Sequence, residues 1–446
     1  MEVDPQTGRQ MGVWAATAVV TGEAISLGIF LTPAGMARSV GSPSLLAAVW
    51  CGVSLMTIAG ALCFTELAVR NPHDGGEYLY LRRGFGRNVA FLYGWMAAIV
   101  MYPGVCAALC VGLVPYLQVL VPISPSTARL VPALLILGFG VLNYFGTRLS
   151  NGIMSTLNWI KVPLLLFLVG WALASPHAAF ANLASAPRPS GPIAGAIAGA
   201  AVSAFFCFGG WWEAGKIAGQ VRNPSRALPI AFIGGVLIVT ALYLLLSLAF
   251  VAVVPVASVT TDTAFVQQFG NALFGSAGAR VLSACVLLCV VGGLLVMTMA
   301  IPRVTYALAR EEAETGPLAV FARIHPRFGT PGNAIILQTT MALLVLLFGA
   351  FDSILAFIIF SAVVFLGLTA ATLFRSITPV RRWWYPAAPV FFVLCCAALA
   401  LMLLLNHPLP ALAGAAIVLA GLPARALLVR TAKNPPAKSP ALEPET

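Results

Sequence analysis

Charged side chains are what this sequence has least of. Asp, Glu, Lys and Arg make up 9% of its 446 residues, where a soluble protein of this length carries roughly 25%. So few charges cannot clothe a surface in water, and the 60% of residues that are hydrophobic arrive in long runs. Those runs lack the period-two alternation of membrane barrel strands. Only helices or closed barrels can cross a bilayer, because every backbone polar group must be paired within the chain. An all-α polytopic membrane protein follows.

Further absences narrow the function. The nine cysteines, at 51, 63, 106, 110, 207, 285, 289, 395 and 396, all lie in apolar stretches without zinc-like spacing. They read as small core residues in a protein without structural disulfides. His73, His177, His325 and His407 lie in or near loops with no second ligand at metal spacing, so no metal is expected. Gly84 and Gly86 follow no strand and open no phosphate-binding helix, which argues against nucleotide. No Ser–His–acid set or paired-acid site lies at a suitable depth. No catalytic residue and no cofactor are expected. The opening residues, MEVDPQTGRQ, lack a basic n-region and a cleavage site, so the first apolar run is expected to remain as a span.

The apolar runs give about twelve transmembrane helices of bilayer length. They centre near Ile25, Leu55, Met101, Leu137, Leu166, Phe205, Leu242, Val291, Leu343, Val363, Val393 and Val418. Residues 1–12 form a short N-terminus, 13–175 hold spans 1–5, 196–376 hold spans 6–10, and 386–430 hold spans 11 and 12. The Pro- and Ala-rich tail, 431–446, is expected to be disordered. With the N-terminus in the cytoplasm, 20 of the 25 Lys and Arg residues fall inside and 4 outside, with Lys161 within a span. That bias predicts cytoplasmic N- and C-termini in a bacterial inner (cytoplasmic) membrane. It also accounts for the net charge of +11 as a topology signal and an attraction to anionic membrane lipid, with no call for nucleic acid.

Three charges sit where a bilayer makes charge costly, at least ~2.5 kcal/mol each: Glu23 in the first span, Lys161 in the fifth and Glu213 at the end of the sixth. Lys161 is either a static or snorkelling lysine or a buried cation that replaces, or shuttles as, a coupling ion. A lysine in an apolar interior can release and regain a proton, which would link proton uptake to the cycle. Glu213 is a gate, a loop anchor, a proton carrier or a ligand for a cationic substrate.

Two spans are interrupted at mid-membrane. The first reads Gly22-Glu23-Ala24-Ile25-Ser26-Leu27-Gly28-Ile29-Phe30, followed by Pro33 and Gly35; the sixth reads Phe205-Phe206-Cys207-Phe208-Gly209-Gly210-Trp211-Trp212. Each glycine costs a helix interior ~1 kcal/mol. Close helix packing through small residues would explain either site alone. Together they occupy corresponding positions of two five-span halves, which is the sequence mark of a midplane site in an inverted-repeat transporter. Freed N–H groups at a half-helix N-terminus can bind a carboxylate, and freed carbonyls can accept from an ammonium. One site with both features suits a zwitterion.

At these residues the chain resembles the amino acid–polyamine–organocation (APC) superfamily, closest to bacterial relatives of the L-type amino acid transporters. The first-span stretch is similar to the family's Gly-Ser-Gly-Ile-Phe signature, with Ser26 and Leu27 in place of the first Gly and the Ser, and Gly28-Ile29-Phe30 retained. Phe-Cys-Phe-Gly-Gly-Trp at 206–211 resembles Phe-Ala-Tyr-Gly-Gly-Trp. Phe-Thr-Glu-Leu-Ala at 64–68, Gly-Gly-Glu-Tyr-Leu-Tyr at 75–80 and the segments 220–229, 302–311 and 325–334 resemble family loops and span ends, with Gln220 replacing an acid.

The resemblance implies a 5+5 inverted repeat of the leucine-transporter type with helices 1 and 6 broken. It implies substrate contacts from Ile25, Ser26, Leu27, Gly28, Phe206 (as a gate), Phe208, Gly209 and Trp211, although Trp211 by itself could equally pack against neighbouring helices. Lys161 matches a lysine that stands in for a sodium ion beside first-span carbonyls, with Gly22 and Ile25 as partners. Glu23 either pairs with Lys161 or faces the cytoplasmic vestibule. The implied activity is sodium-independent transport of L-amino acids by exchange or proton-coupled uptake. Separately, no obligatory protein partner is expected. The alternatives are a cationic amino acid or polyamine carrier, motivated by Glu213, and a sensor or channel that does not accumulate cargo.

Overall fold

The computed structural model describes residues 11–25, 28–73, 75–145, 148–184, 192–258, 262–312, 317–348, 351–376, 380 and 382–430. These residues are almost entirely helical, with no strand among them beyond one isolated bridge between Met11 and Val221. Nine helical segments among them are long and apolar enough to cross a bilayer. The other three expected spans are present in a different form. The first is split into Val13–Ala24 and Gly28–Val40. The described apolar parts of the fifth and ninth, Lys161–Ala174 and Gly332–Val345, are shorter. Every centre read from the apolar runs falls in one of these twelve units or, for Ile25, in the gap between the two halves of the first. The protein is a multi-pass membrane protein.

The apolar composition makes the bundle's layering a matter of who faces lipid. In the third span, Arg87–Leu120, and the tenth, Ser353–Arg375, 78% of the apolar stretch is buried, against 17% in the fourth, Pro125–Phe145. The third and tenth spans are therefore central. The fourth, eleventh and twelfth form the outer wall, with Leu130, Leu134, Leu394, Leu405 and Leu419 exposed where lipid tails would lie. With lipid as apolar as leucine, close approach has to come from small residues. Gly104 in the third span provides it by taking the side chain of Ile358 from the tenth, and Gly60 in the second receives the rings of Phe392 and Trp211.

Two wide turns interrupt regular helix. The third span passes through a π-helical turn at Ala97–Met101 just before Pro103, and the seventh through Ile230–Gly234 just after Pro229. A proline lacks the N–H of the regular ladder, so the neighbouring turn widens.

One end of the bundle gathers the basic residues. Glu66 is bracketed by Arg70 at 2.8 Å and Arg382 at 2.9 Å. Arg70 also donates to Ser376, Arg83 to Asn71 and Arg425 to Asn88. Met11 meets the end of the sixth span at this end, its N–H on the Gln220 carbonyl and its own carbonyl on the Arg222 N–H. A short helix, Gly76–Phe85, lies across the 3-10 part of the sixth span, Trp211–Gln220.

Candidate functional site

The first-span helix closes its last regular bond from the Ile25 N–H to the Thr21 carbonyl at 2.9 Å. Ile25 then turns to φ −76° and ψ 88°, and helix resumes at Gly28. Ser26 and Leu27 lie outside the described residues. In the sixth span, Ile193–Phe208 ends where the Gly209 N–H donates back to the Phe206 carbonyl at 2.9 Å. Gly210 follows at φ +98°, and the chain continues as a 3-10 helix. Only glycine takes that backbone conformation without cost.

The two breaks lie against each other. A Cβ on Gly210 would stand 2.8 Å from the Glu23 Cβ and 3.1 Å from the Glu23 backbone carbon; one on Gly28 would stand 3.0 Å from the Cys207 Cα. Carbonyls freed by a break need new donors. Tyr243 of the seventh span supplies one, its hydroxyl lying 2.7 Å from the Ala24 carbonyl and 3.0 Å from that of Cys207, so a single side chain ties both breaks. Lys161, 1% exposed, supplies another by donating from Nζ to the Ile25 carbonyl at 3.4 Å. Among the described residues the ammonium's hydrogen bond is to Ile25, with the Gly22 carbonyl not among its partners. The ion pairs among the described residues do not include Glu23 with Lys161.

Beside the breaks lies a cavity of about 80 Å³. At about 10–15 Å³ per water on the same measure, this is room for several waters or one small solute. Glu23, Phe206, Gly209, Gly210, Trp212 and Glu213 form its wall on the broken spans. Tyr102, Ile301 and Ile358 represent the third, eighth and tenth spans. Glu213 is held from behind: Lys216 Nζ is 2.6 Å from its Oε2, and the Tyr102 hydroxyl donates to its Oε1 at 3.0 Å. Lys216 also contacts the Tyr102 hydroxyl.

The expected site residues thus divide. Phe206, Gly209, Glu23 and Glu213 meet at the cavity, and Ile25 and Gly28 belong to the break beside it. Phe208 instead packs on Trp50 and Tyr243, and Trp211 sits among Phe64, Phe232 and Phe392. Trp212 takes the cavity wall, stacked on Phe205. Trp212, which the sequence allowed as a pocket residue alongside Trp211, is on the wall, whereas Tyr102, Lys216 and Tyr243 were not expected from the sequence. The signal for the tyrosines was available as polar tips within apolar runs, and for Tyr102 as the neighbouring Pro103.

A second, larger cavity of about 360 Å³ lies at the end of the bundle remote from Met11. Arg38 and Ser39 at the end of the first span, Gly195 at the start of the sixth, and Asn406 and His407 after the eleventh line it. Among the described residues no group of three or more His, Cys, Asp or Glu side chains is placed to hold a metal.

A family profile described as amino acid permease matches residues 11–420. The chain belongs to the amino acid permease family. Similar proteins include the serine/threonine exchanger SteT of Bacillus subtilis, 28% identical over 80% of this permease and 81% of the exchanger. The large neutral amino acids transporter small subunit 2 of Mus musculus is 27% identical over 93% of this permease and 80% of the relative. The b(0,+)-type amino acid transporter 1 of the same species is 25% identical over 81% and 74%.

Proposed function

We propose that this permease carries neutral L-amino acids across the cytoplasmic membrane by alternating access, without sodium, by exchange or proton-coupled uptake. The observation that carries the reading is the contact of the two broken spans, Gly210 against Glu23, beside a small cavity. Peptide groups released from both helices converge there, and such groups can hold a carboxylate and an ammonium together. The fifth-span ammonium on the Ile25 carbonyl supports independence from sodium, since a fixed cation already satisfies that oxygen. The names of the relatives, a serine/threonine exchanger and a large neutral amino acid transporter, support the substrate class.

In this reading the face carrying Met11, Arg70 and Arg382 is cytoplasmic, both termini lie on it, and the larger cavity opens to the other side. Residues 13–175 and 196–376 act as the two repeats that rock about the site. The murine relative is named as a small subunit; this permease works without an obligatory partner. The alternative of a cationic substrate drew on Glu213, and the Lys216 ammonium 2.6 Å from that carboxylate favours a neutral one.

The test is uptake of a labelled amino acid panel into proteoliposomes, with and without preloaded amino acid, sodium and an inward proton gradient. Sodium-independent uptake that needs internal amino acid identifies an exchanger. Uptake into empty vesicles that follows the proton gradient identifies a symporter. A sodium requirement would remove the role given to Lys161, and binding without accumulation would leave a sensor.

A further inference from the structure

A carboxylate on the wall of a substrate cavity attracts cations, and this cavity has two, Glu23 and Glu213. Their setting differs from that of a cation-binding site in one respect. Lys216 stands behind Glu213, one 3-10 turn along the same helix, with 14% of its side chain exposed and its ammonium 2.6 Å from the Glu213 carboxylate. It does not line the cavity itself. Glu77 of the short Gly76–Phe85 helix, which packs on this part of the sixth span, is 1% exposed, beside the Tyr93 hydroxyl. Glu77 and Glu23 both lie within electrostatic range of Lys216. The Gly76 backbone is packed on the Lys216 stem so closely that a Cβ there would stand 2.8 Å from its Cγ. The amine is therefore held by the Glu213 carboxylate and the Tyr102 hydroxyl, with its stem fixed by Gly76.

We propose that Lys216 is a specificity-determining residue. It is an internal ammonium that occupies the charge position a cationic substrate would otherwise fill, and so it reserves the cavity for substrates without a cationic side chain. This rests on the transport reading above. Opposite charges in a mostly buried site are strongly coupled, and removing one partner leaves the other seeking a replacement. Without the Lys216 charge, Glu213 and Glu23 would both remain on the cavity wall, and the ammonium of a lysine or the guanidinium of an arginine could reach Glu213 from the cavity. Specificity of this kind is a difference of affinities produced by what the site already holds.

The experiment is competition against a bound labelled neutral amino acid on the purified full-length protein, with lysine, arginine, serine and leucine as competitors. In Lys216→Met the concentrations of lysine and arginine needed for half-displacement are expected to fall at least about tenfold, as one charge-assisted bond gained to Glu213 implies. Serine and leucine are expected to move much less. The double variant Lys216→Met with Glu213→Gln removes the ion pair and leaves Glu23 as in the parent, so the gain for lysine and arginine seen in Lys216→Met is expected to be lost; Lys216→Arg is expected to keep neutral selectivity. Unchanged competition by cations in Lys216→Met overturns the proposal. So does a loss of all binding in both Lys216→Met and the double variant, which would make Lys216 a purely structural residue. A wild-type protein that binds no amino acid would instead remove the transport reading.

Discussion

Lys161 and Tyr243 do related work at the centre of the molecule, each giving a donor to carbonyls that the helix breaks have released. They differ in how visible they were beforehand. A lone cation in an apolar run is conspicuous because of its cost, so Lys161 could be read directly from the sequence. Tyr243 looks like any aromatic in a lipid-facing helix until Ala24 and Cys207, 219 and 36 residues away, are placed beside it. Replacing Lys161 with Ala removes a charged donor worth about 1.5–3 kcal/mol. Transport is expected to fall about tenfold or to change its pH dependence, while size-exclusion behaviour is retained; identical kinetics across pH would end the coupling role. Tyr243→Phe removes the one hydroxyl proton shared by two buried carbonyls and is expected to cost about 1–3 kcal/mol, read as a lower thermal midpoint in detergent. Phe206→Ala opens the cavity wall and is expected to raise the apparent substrate constant several-fold. No change in affinity or rate would mean that Phe206 is not the gate.

The broken helices were legible as elements, because glycines weaken the middle of two apolar runs at corresponding places in the chain. Which side chains they present was not. After Gly210 the sixth span continues as a 3-10 helix, with three residues per turn instead of 3.6, so the aromatic face is rephased. Trp212 comes to the cavity and Trp211 turns to Phe64 and Phe392. An aromatic run carries no sign of that change. Gly210→Ala tests the element itself. The added methyl meets an unfavourable φ of +98° and the Glu23 side chain and backbone at once. Transport is expected to be abolished while the protein still inserts. Near-normal transport would mean that the breaks part more easily than their contact implies.

At the scale of the whole molecule, twelve spans and a single basic face were readable because bilayer thickness and charge asymmetry act on composition alone. The docking of the Gly76–Phe85 helix on the sixth span was not, since it depends on contacts between segments more than a hundred residues apart. The larger cavity tests orientation. With all nine native cysteines replaced, Ser39→Cys is expected to react with a membrane-impermeant thiol reagent added outside intact cells, and saturating substrate is expected to slow the reaction. Labelling only after the membrane is opened would invert the proposed topology.

The first and sixth spans are joined at two separate levels. At mid-membrane Gly210 rests on Glu23 and Gly28 on Cys207; at the basic end the Met11 backbone is stitched to Gln220 and Arg222. Two fixed points on a pair of rods define an axle. Any rocking of residues 13–175 against 196–376 therefore has to pivot at these two levels, and the line through them is the hinge that the contacts leave to the two halves.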